Sequence, residues 1–340
     1  MARIVCFGEI MMRLNPEGYL RLLQADRFEA SYAGGEANVA VSLAGYGHDA
    51  AFVSKVPAHE IGQNAVNALR KFGVDTRLML RGGPRLGVYY VEKGASQRGG
   101  KVIYDRAGSS VACSTRTEYD WNALLCGADW FHITGITPAL GGELPRICLD
   151  AVTCARTLGV RVSCDLNYRA KLWPRERAGE VMATLLPFVD LCIANEEDAA
   201  DVFGIQADAT DVMSGNLSKQ GYVPVARQLA QRFGCSAVAI TLRGSISASD
   251  NRWSGLLFQN GEAYFSKEYH IHVVDRVGGG DSFGGGLIHA LLKGMDGQQA
   301  VEFATAASCL KQTIEFDFNL VAEQEVLALA MGNASGRVQR

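Results

Sequence analysis

The sequence predicts an α/β fold, a doubly wound and mainly parallel sheet flanked by helices. Three features of its 340 residues point that way. Short apolar runs recur at 4–7, 51–56, 130–134, 160–165, 191–194 and 237–241, each with the length and two-sided apolar character of a strand buried in a parallel sheet. Helical segments lie between them at 37–44, 62–72, 143–158, 178–186 and 223–233. Two stretches, 11–33 and 77–106, break the alternation and read as antiparallel strands outside the main sheet. Strand, helix and strand repeated this often imply right-handed crossovers with helices on both faces. Ligands of such sheets bind at the carboxyl ends of the strands.

Length alone would allow two domains, but the alternation runs through nearly the whole chain, and residues 1–340 are read as one domain. A net charge of −3 leaves no electrostatic footprint for nucleic acid or an anionic membrane surface. Apolar runs stay short of the roughly 18 residues a membrane span requires, and the N-terminus enters a strand directly, without a signal-peptide pattern. A cytoplasmic location is expected. The nine cysteines are scattered without a Cys-x-x-Cys pair, which favours buried reduced thiols over disulfides or zinc. His270 and His272 share a strand face, but without a third ligand they read as surface histidines. Residues 332–340 are expected to fray.

The most informative stretch is 275–286, Asp-Arg-Val-Gly-Gly-Gly-Asp-Ser-Phe-Gly-Gly-Gly. Gly278, Gly279 and Gly280 let successive amides converge on one point, and Asp281 and Ser282 then open an apolar helical run. That is an anion-binding turn feeding a helix N-terminus; the competing reading is a flexible hairpin turn. Asp281 would repel a phosphate unless it does chemistry, and beside a transferable phosphoryl group it can take the proton from an attacking hydroxyl. A dinucleotide fingerprint would need glycine where Phe283 stands. Residues 95–102 lack the first glycine and the Ser/Thr of a P-loop.

This stretch resembles the C-terminal signature of the PfkB/ribokinase family of carbohydrate kinases, with Gly279 where alanine is common. Residues 33–40, Ala-Gly-Gly-Glu-Ala-Asn-Val-Ala, resemble its N-terminal signature. The resemblance implies a ribokinase-like fold in which 11–33 and 77–106 form a small β-lid over the sugar, with lid-to-lid homodimerisation. It also implies ATP and Mg²⁺ as cosubstrate and cofactor, and a monovalent cation near Asp275. By position in the motif, Gly34, Gly35 and Asn38 would meet sugar hydroxyls, and Glu9, after the first strand, either accepts a sugar hydroxyl or is a solvated loop glutamate. Tyr104 and Tyr89 would reach the sugar from the lid; strand alternation puts Tyr89 and Tyr90 on opposite faces.

Arg106, in Tyr-Asp-Arg-Ala-Gly-Ser, and Arg169, in Asp-Leu-Asn-Tyr-Arg, resemble the arginines that approach the substrate carboxylate in the family's 2-keto-3-deoxygluconate kinases. A guanidinium has nothing to pair with on a neutral hexose, whereas a sugar acid offers a planar two-oxygen acceptor. At about 1.5–3 kcal/mol per charge-assisted bond, one contact favours the acid by roughly ten- to a hundredfold. The competing reading gives Arg169 to the nucleotide phosphates or to Asp165. The substrate expected is therefore 2-keto-3-deoxygluconate, phosphorylated at its primary hydroxyl, with a neutral ketose or ribose kinase, and more remotely a non-catalytic sensor, as alternatives. For the nucleotide, Asn195 and Asp198 resemble the family's Asn-x-x-Glu segment that organises magnesium through water. Thr241, Arg243 and Gly244 would border the triphosphate or the adenine, with Gly278 and Gly280 at the phosphates; Arg243 either stabilises phosphates or is solvated, and helical residues 304–311 would pack beside the adenine.

Overall fold

The computed structural model describes residues 1–207 and 219–333. Of the segment expected to fray, residues 334–340 lie outside this range. Among the described residues the large sheet has nine strands. Six are parallel, in the spatial order Asp49–Val53, Arg3–Phe7, Trp130–Thr134, Arg161–Asp165, Leu191–Ala194 and Ala237–Ser245. At the parallel edge, Asp49–Val53 lies beside the first strand with Ala51 paired to Val5 and Phe52 to Cys6.

Both faces of these strands are buried, as a parallel sheet requires. Along the first strand Ile4 and Cys6 belong to one apolar cluster with Val39, Leu43, Phe283 and Phe303. Val5 and Phe7 belong to the other, with Ile147, Met182 and Leu229. Period-two alternation thus feeds two helical layers at once. One layer holds helices Gly35–Gly45, Gly279–Leu292 and Gly297–Lys311, and the other holds Leu144–Thr157, Arg175–Leu185 and Tyr222–Phe233.

Past Ala237–Ser245 the sheet turns antiparallel. Asp250–Gln259 pairs with it and then with Glu262–Phe265 and Tyr269–His272. The turn between Gln259 and Glu262 has Asn260 at φ 55 and Gly261 at φ 82, the left-handed pair that a tight hairpin favours. This antiparallel edge lies outside the expectation from the sequence.

The small sheet lies where expected. Its order is Glu29–Ala33, Met11–Asn15, Gly87–Glu92, Lys101–Asp105, with antiparallel outer pairs and a parallel pairing in the middle. Leu80–Arg81 does not join it but pairs with Lys55–Val56. Cys113 and Cys126 are exposed, against expectation, while Cys6, Cys148, Cys164, Cys192, Cys235 and Cys309 are buried. His270 and His272 are exposed, and His272 Nδ1 lies 2.9 Å from Asp250 Oδ1. Among the described residues no helix is long and apolar enough to cross a membrane.

Candidate active site

A cleft of about 350 Å³ opens at the carboxyl ends of the parallel strands, with the small sheet as its other wall. Every site residue expected from the sequence lines it except Gly244. Gly244 fails because its strand does not end at Thr241: antiparallel pairing carries it on to Ser245, and Gly244 sits opposite Arg252 inside that ladder. Residues 304–311, expected beside the adenine, are buried apart from half-buried Leu310 and do not line the cleft, which the next residue, Gln312, does.

The glycine turn is shaped by close approach. Gly278 has φ 82, and a Cβ there would lie 2.1 Å from the carbonyl oxygen of Asp317, so no other residue fits. The helix Gly279–Leu292 starts immediately after it, with its first turn beside the cleft. The Gly279 N–H donates to Arg276 O at 3.3 Å, which leaves Gly278, Gly280 and Asp281 as the better-placed donors. Helix Gly297–Lys311 holds the turn from behind: Ser308 Oγ donates to Gly279 O at 2.7 Å.

Asp281 sits in the first turn of that helix. Its Oδ2 accepts from Asn38 Nδ2 at 2.6 Å, and its Oδ1 faces Gly35, where an added Cβ would lie 3.6 Å away. Burial raises its pKa to about 6; the Asn38 hydrogen bond and the Arg169 and Lys311 charges pull it down, while Asp317 pushes it up. That value suits a proton acceptor working near neutral pH. Asn38 is thus tied to the carboxylate and, through Oδ1, to the Gly34 amide at 3.4 Å. Gly34 is required because a Cβ would meet Glu9 O at 1.9 Å.

Beside the small sheet Arg106 donates from Nε to Glu9 Oε2 at 2.8 Å and also contacts that oxygen through Nη2, both residues being buried. Glu9 Oε1 has no hydrogen-bond partner among the described residues, and Glu9 lines the cleft with Arg106. Glu9 is therefore a buried cleft residue and not a solvated loop glutamate. Arg169 donates to Tyr168 O at 2.9 Å, and its charge pulls down the pKa of Asp165, Asp198 and Asp281. Tyr89 faces the cleft and Tyr90 packs on Phe28 on the opposite side, as alternation demands. Tyr89 stacks on Tyr104 with ring centroids 5.9 Å apart, but its hydroxyl is committed to Asp317 Oδ2 at 2.9 Å.

Asp198, expected near the magnesium, lines the cleft with both carboxylate oxygens engaged by backbone amides. Oδ1 accepts from the Tyr168 amide at 3.1 Å and Oδ2 from the Asn195 amide at 2.9 Å, so it stitches together the loops after two adjacent strands. Asn195 Oδ1 in turn accepts from the amides of Glu197 and Asp198. Arg243 donates to Glu196 Oε1 at 3.3 Å. Burial first, and then Asp198 and Asp281, raise Asp165 well above the carboxylate range. Such crowding fits a site that receives a divalent cation together with a nucleotide. Among the described residues no three acids, histidines or cysteines are arranged to hold a metal ion.

Sequence reasoning missed the buried network under the turn. Arg13 is wholly buried and bridges Asp275 Oδ2 and Asp317 Oδ1, each at 2.6 Å. Asp275 also accepts from the amides of Val277 and Phe316, the latter a non-glycine at φ 64. Glu36 was missed as well. Its Oε1 accepts from Thr134 N, Thr134 Oγ1 and Thr137 Oγ1, bolting helix Gly35–Gly45 to the strand Trp130–Thr134, and burial raises its pKa to about 7.

The place expected for a monovalent cation is already filled by protein. Lys311, with no exposed surface, donates from Nζ to Asp275 O at 3.1 Å and also to Val277 O. The carbonyl oxygens beside Asp275 that such an ion would need therefore hold an ammonium, and these residues do not fit a resident monovalent cation.

Comparison with known proteins gives a consistent picture. The chain matches the pfkB family carbohydrate kinase family over residues 1–313. It is 32% identical to a 2-dehydro-3-deoxygalactonokinase of Haloferax volcanii, covering 98% of both chains. It is 28% identical to a 2-dehydro-3-deoxygluconokinase of Bacillus subtilis, covering 95% of this chain and 94% of the relative. The crystal structure of a 2-dehydro-3-deoxygluconokinase from Thermotoga maritima superposes with a TM-score of 0.94 at 49% identity, covering 97% of this chain and 98% of that one.

Proposed function

The chain belongs to the pfkB family of carbohydrate kinases, and from that premise we propose that it transfers the γ-phosphoryl group of ATP to the primary hydroxyl of 2-keto-3-deoxygluconate (2-dehydro-3-deoxygluconate). The product is 2-keto-3-deoxy-6-phosphogluconate. The observation that carries the substrate is the pair of guanidiniums, Arg106 and Arg169, in the same cleft as a glycine turn and Asp281. A sugar acid can bridge them at its carboxylate end while its hydroxyl end lies at Asp281.

Asp281 Oδ1, the oxygen not held by Asn38, takes the proton as the hydroxyl attacks. The amides of Gly278, Gly280 and Asp281 face the charge that develops on the phosphates. Asp165, Asn195 and Glu196 line the cleft where they would hold a Mg²⁺ carried in with the nucleotide, which would supply positive charge against the phosphates. Thr241 and Arg243 line the nucleotide side. The small sheet acts as a lid that keeps water from the phosphoryl group.

We read the whole chain as one catalytic unit, because both sheets build one cleft, and place it in the cytoplasm, where ATP is at hand. Homodimerisation through the lid is part of the same proposal. Leu23 is 98% exposed on it, with Tyr19, Leu20, Phe28 and Ile103 also open. Sedimentation of wild type against Leu23→Asp tests this, and a wild-type monomer would contradict it.

The substrate is tested by ADP release with 2-keto-3-deoxygluconate, its galactonate epimer, fructose, ribose and adenosine. The reading expects a 2-keto-3-deoxy acid to exceed the neutral sugars in kcat/KM by at least roughly tenfold. A preference for fructose or ribose would replace it with the neutral-sugar reading, and no turnover on any sugar with the sensor reading.

A further inference from the structure

We propose that Lys311 is a built-in substitute for a monovalent cation: its buried ammonium holds the carbonyls that aim the anion turn, and the kinase needs no potassium or sodium. The inference rests on the reading of Gly278–Gly280 as the phosphate site.

Helix Gly297–Lys311 ends behind the turn and delivers Nζ to two carbonyls, those of Asp275 and Val277. In a planar trans peptide the C=O and the following N–H point in opposite directions. Anchoring Val277 O on Lys311 therefore turns the Gly278 N–H away from the lysine, and Gly278 lines the cleft. The same logic applies one step on, where Ser308 Oγ holds Gly279 O and so directs the Gly280 N–H. Two donors of the turn are thus set by two side chains of one helix.

The charge matters as much as the geometry. Asp275 and Asp317 lie close to the turn and Arg13 pairs with both, so a second buried positive charge is accommodated beside two carboxylates without leaving either side uncompensated. A free cation would have to lose its hydration shell and an entropy of binding to reach the same carbonyls. A lysine carried on a helix has already met those costs on folding, and it cannot dissociate.

The test uses the full chain, ATP and 2-keto-3-deoxygluconate in buffer whose only added monovalent cation is tetramethylammonium, then with KCl or choline chloride at equal ionic strength. Wild-type kcat and its ATP KM are expected to differ by less than about twofold between KCl and choline chloride, where a site with a dissociable ion would lose turnover as that ion is withdrawn. Lys311→Ala is expected to lose at least about tenfold in choline chloride and to regain part of it specifically with KCl. Its melting temperature with ATP should rise in KCl over choline chloride, which that of wild type should not. Severalfold activation of the wild type by KCl overturns the proposal, as does full activity of Lys311→Ala without added cation, or a loss that KCl does not reverse while the variant still folds. If Lys311→Ala does not fold, the wild-type activity and melting arms decide alone. Absence of ADP release in every buffer and with every sugar would instead strike at the proposed function.

Discussion

Asn38 Nδ2 donates to Asp281 Oδ2 at 2.6 Å, joining two signatures that lie 243 residues apart in the chain. Asn38 orients the carboxylate and lowers its pKa against the burial that raises it to about 6. As pH falls through that value Asp281 gains a proton and can no longer accept one, so kcat/KM should fall with pH below about 6 and be level above it. In Asn38→Ala the hydrogen bond is gone, and the acid limb of the pH–rate profile should move to higher pH by about one pH unit or more. A limb unmoved in this variant would separate Asn38 from the carboxylate.

Arg106 has two partners to satisfy, Glu9 in the protein and the proposed carboxylate of the substrate. Arg106→Ala leaves a buried glutamate unpaired and should cost about 3–5 kcal/mol of stability, which would confuse any activity measurement. The double variant Glu9→Gln, Arg106→Met removes both charges and should recover much of that loss in a denaturant titration. It should still lose roughly ten- to a hundredfold in kcat/KM for the sugar acid while fructose turnover changes little. Equal losses on the two sugars would make the arginine structural.

Arg13 holds Asp275 and Asp317, and through them Tyr89 and the backbone around Phe316. Arg13→Met leaves two buried carboxylates facing each other, and the melting temperature should drop by an amount matching about 3–5 kcal/mol. Tyr89→Phe removes one hydrogen bond of that network, for which about 1–3 kcal/mol is expected. A Tyr89→Phe variant with unchanged stability and a raised sugar KM would return the hydroxyl to the substrate.

Asp198 ties the Tyr168 and Asn195 amides. Asp198→Asn should therefore lower stability while the Mg²⁺ concentration for half-maximal rate stays within about twofold, since a carboxylate already filled by backbone donors has little left for a metal. A large rise in the Mg²⁺ requirement would restore its metal role.

Much of this site was legible because its parts are local. The glycine turn, Asp281 and the Gly34-Gly35-Asn38 stretch are short motifs whose chemistry follows from spacing, and the strand runs at 4–7, 130–134 and 191–194 match observed strands nearly residue for residue. The losses share a cause. Arg13, Asp317 and Lys311 acquire their meaning only from partners at 34 to 304 residues' separation, and nothing in the sequence around Arg13 marks it as wholly buried. Gly244 was misplaced because pairing with Asp250–Gln259 extended a strand that propensity alone would have ended. The Asn260-Gly261 turn between apolar runs was a readable hairpin mark for that edge.

The central claim is that Asp281 accepts the proton of the attacking hydroxyl, and the single-turnover rate of Asp281→Asn with saturating ATP and 2-keto-3-deoxygluconate tests it most directly. The account predicts a rate lower by about 10² to 10⁴ with nucleotide affinity close to wild type. A rate within about tenfold of wild type would contradict it.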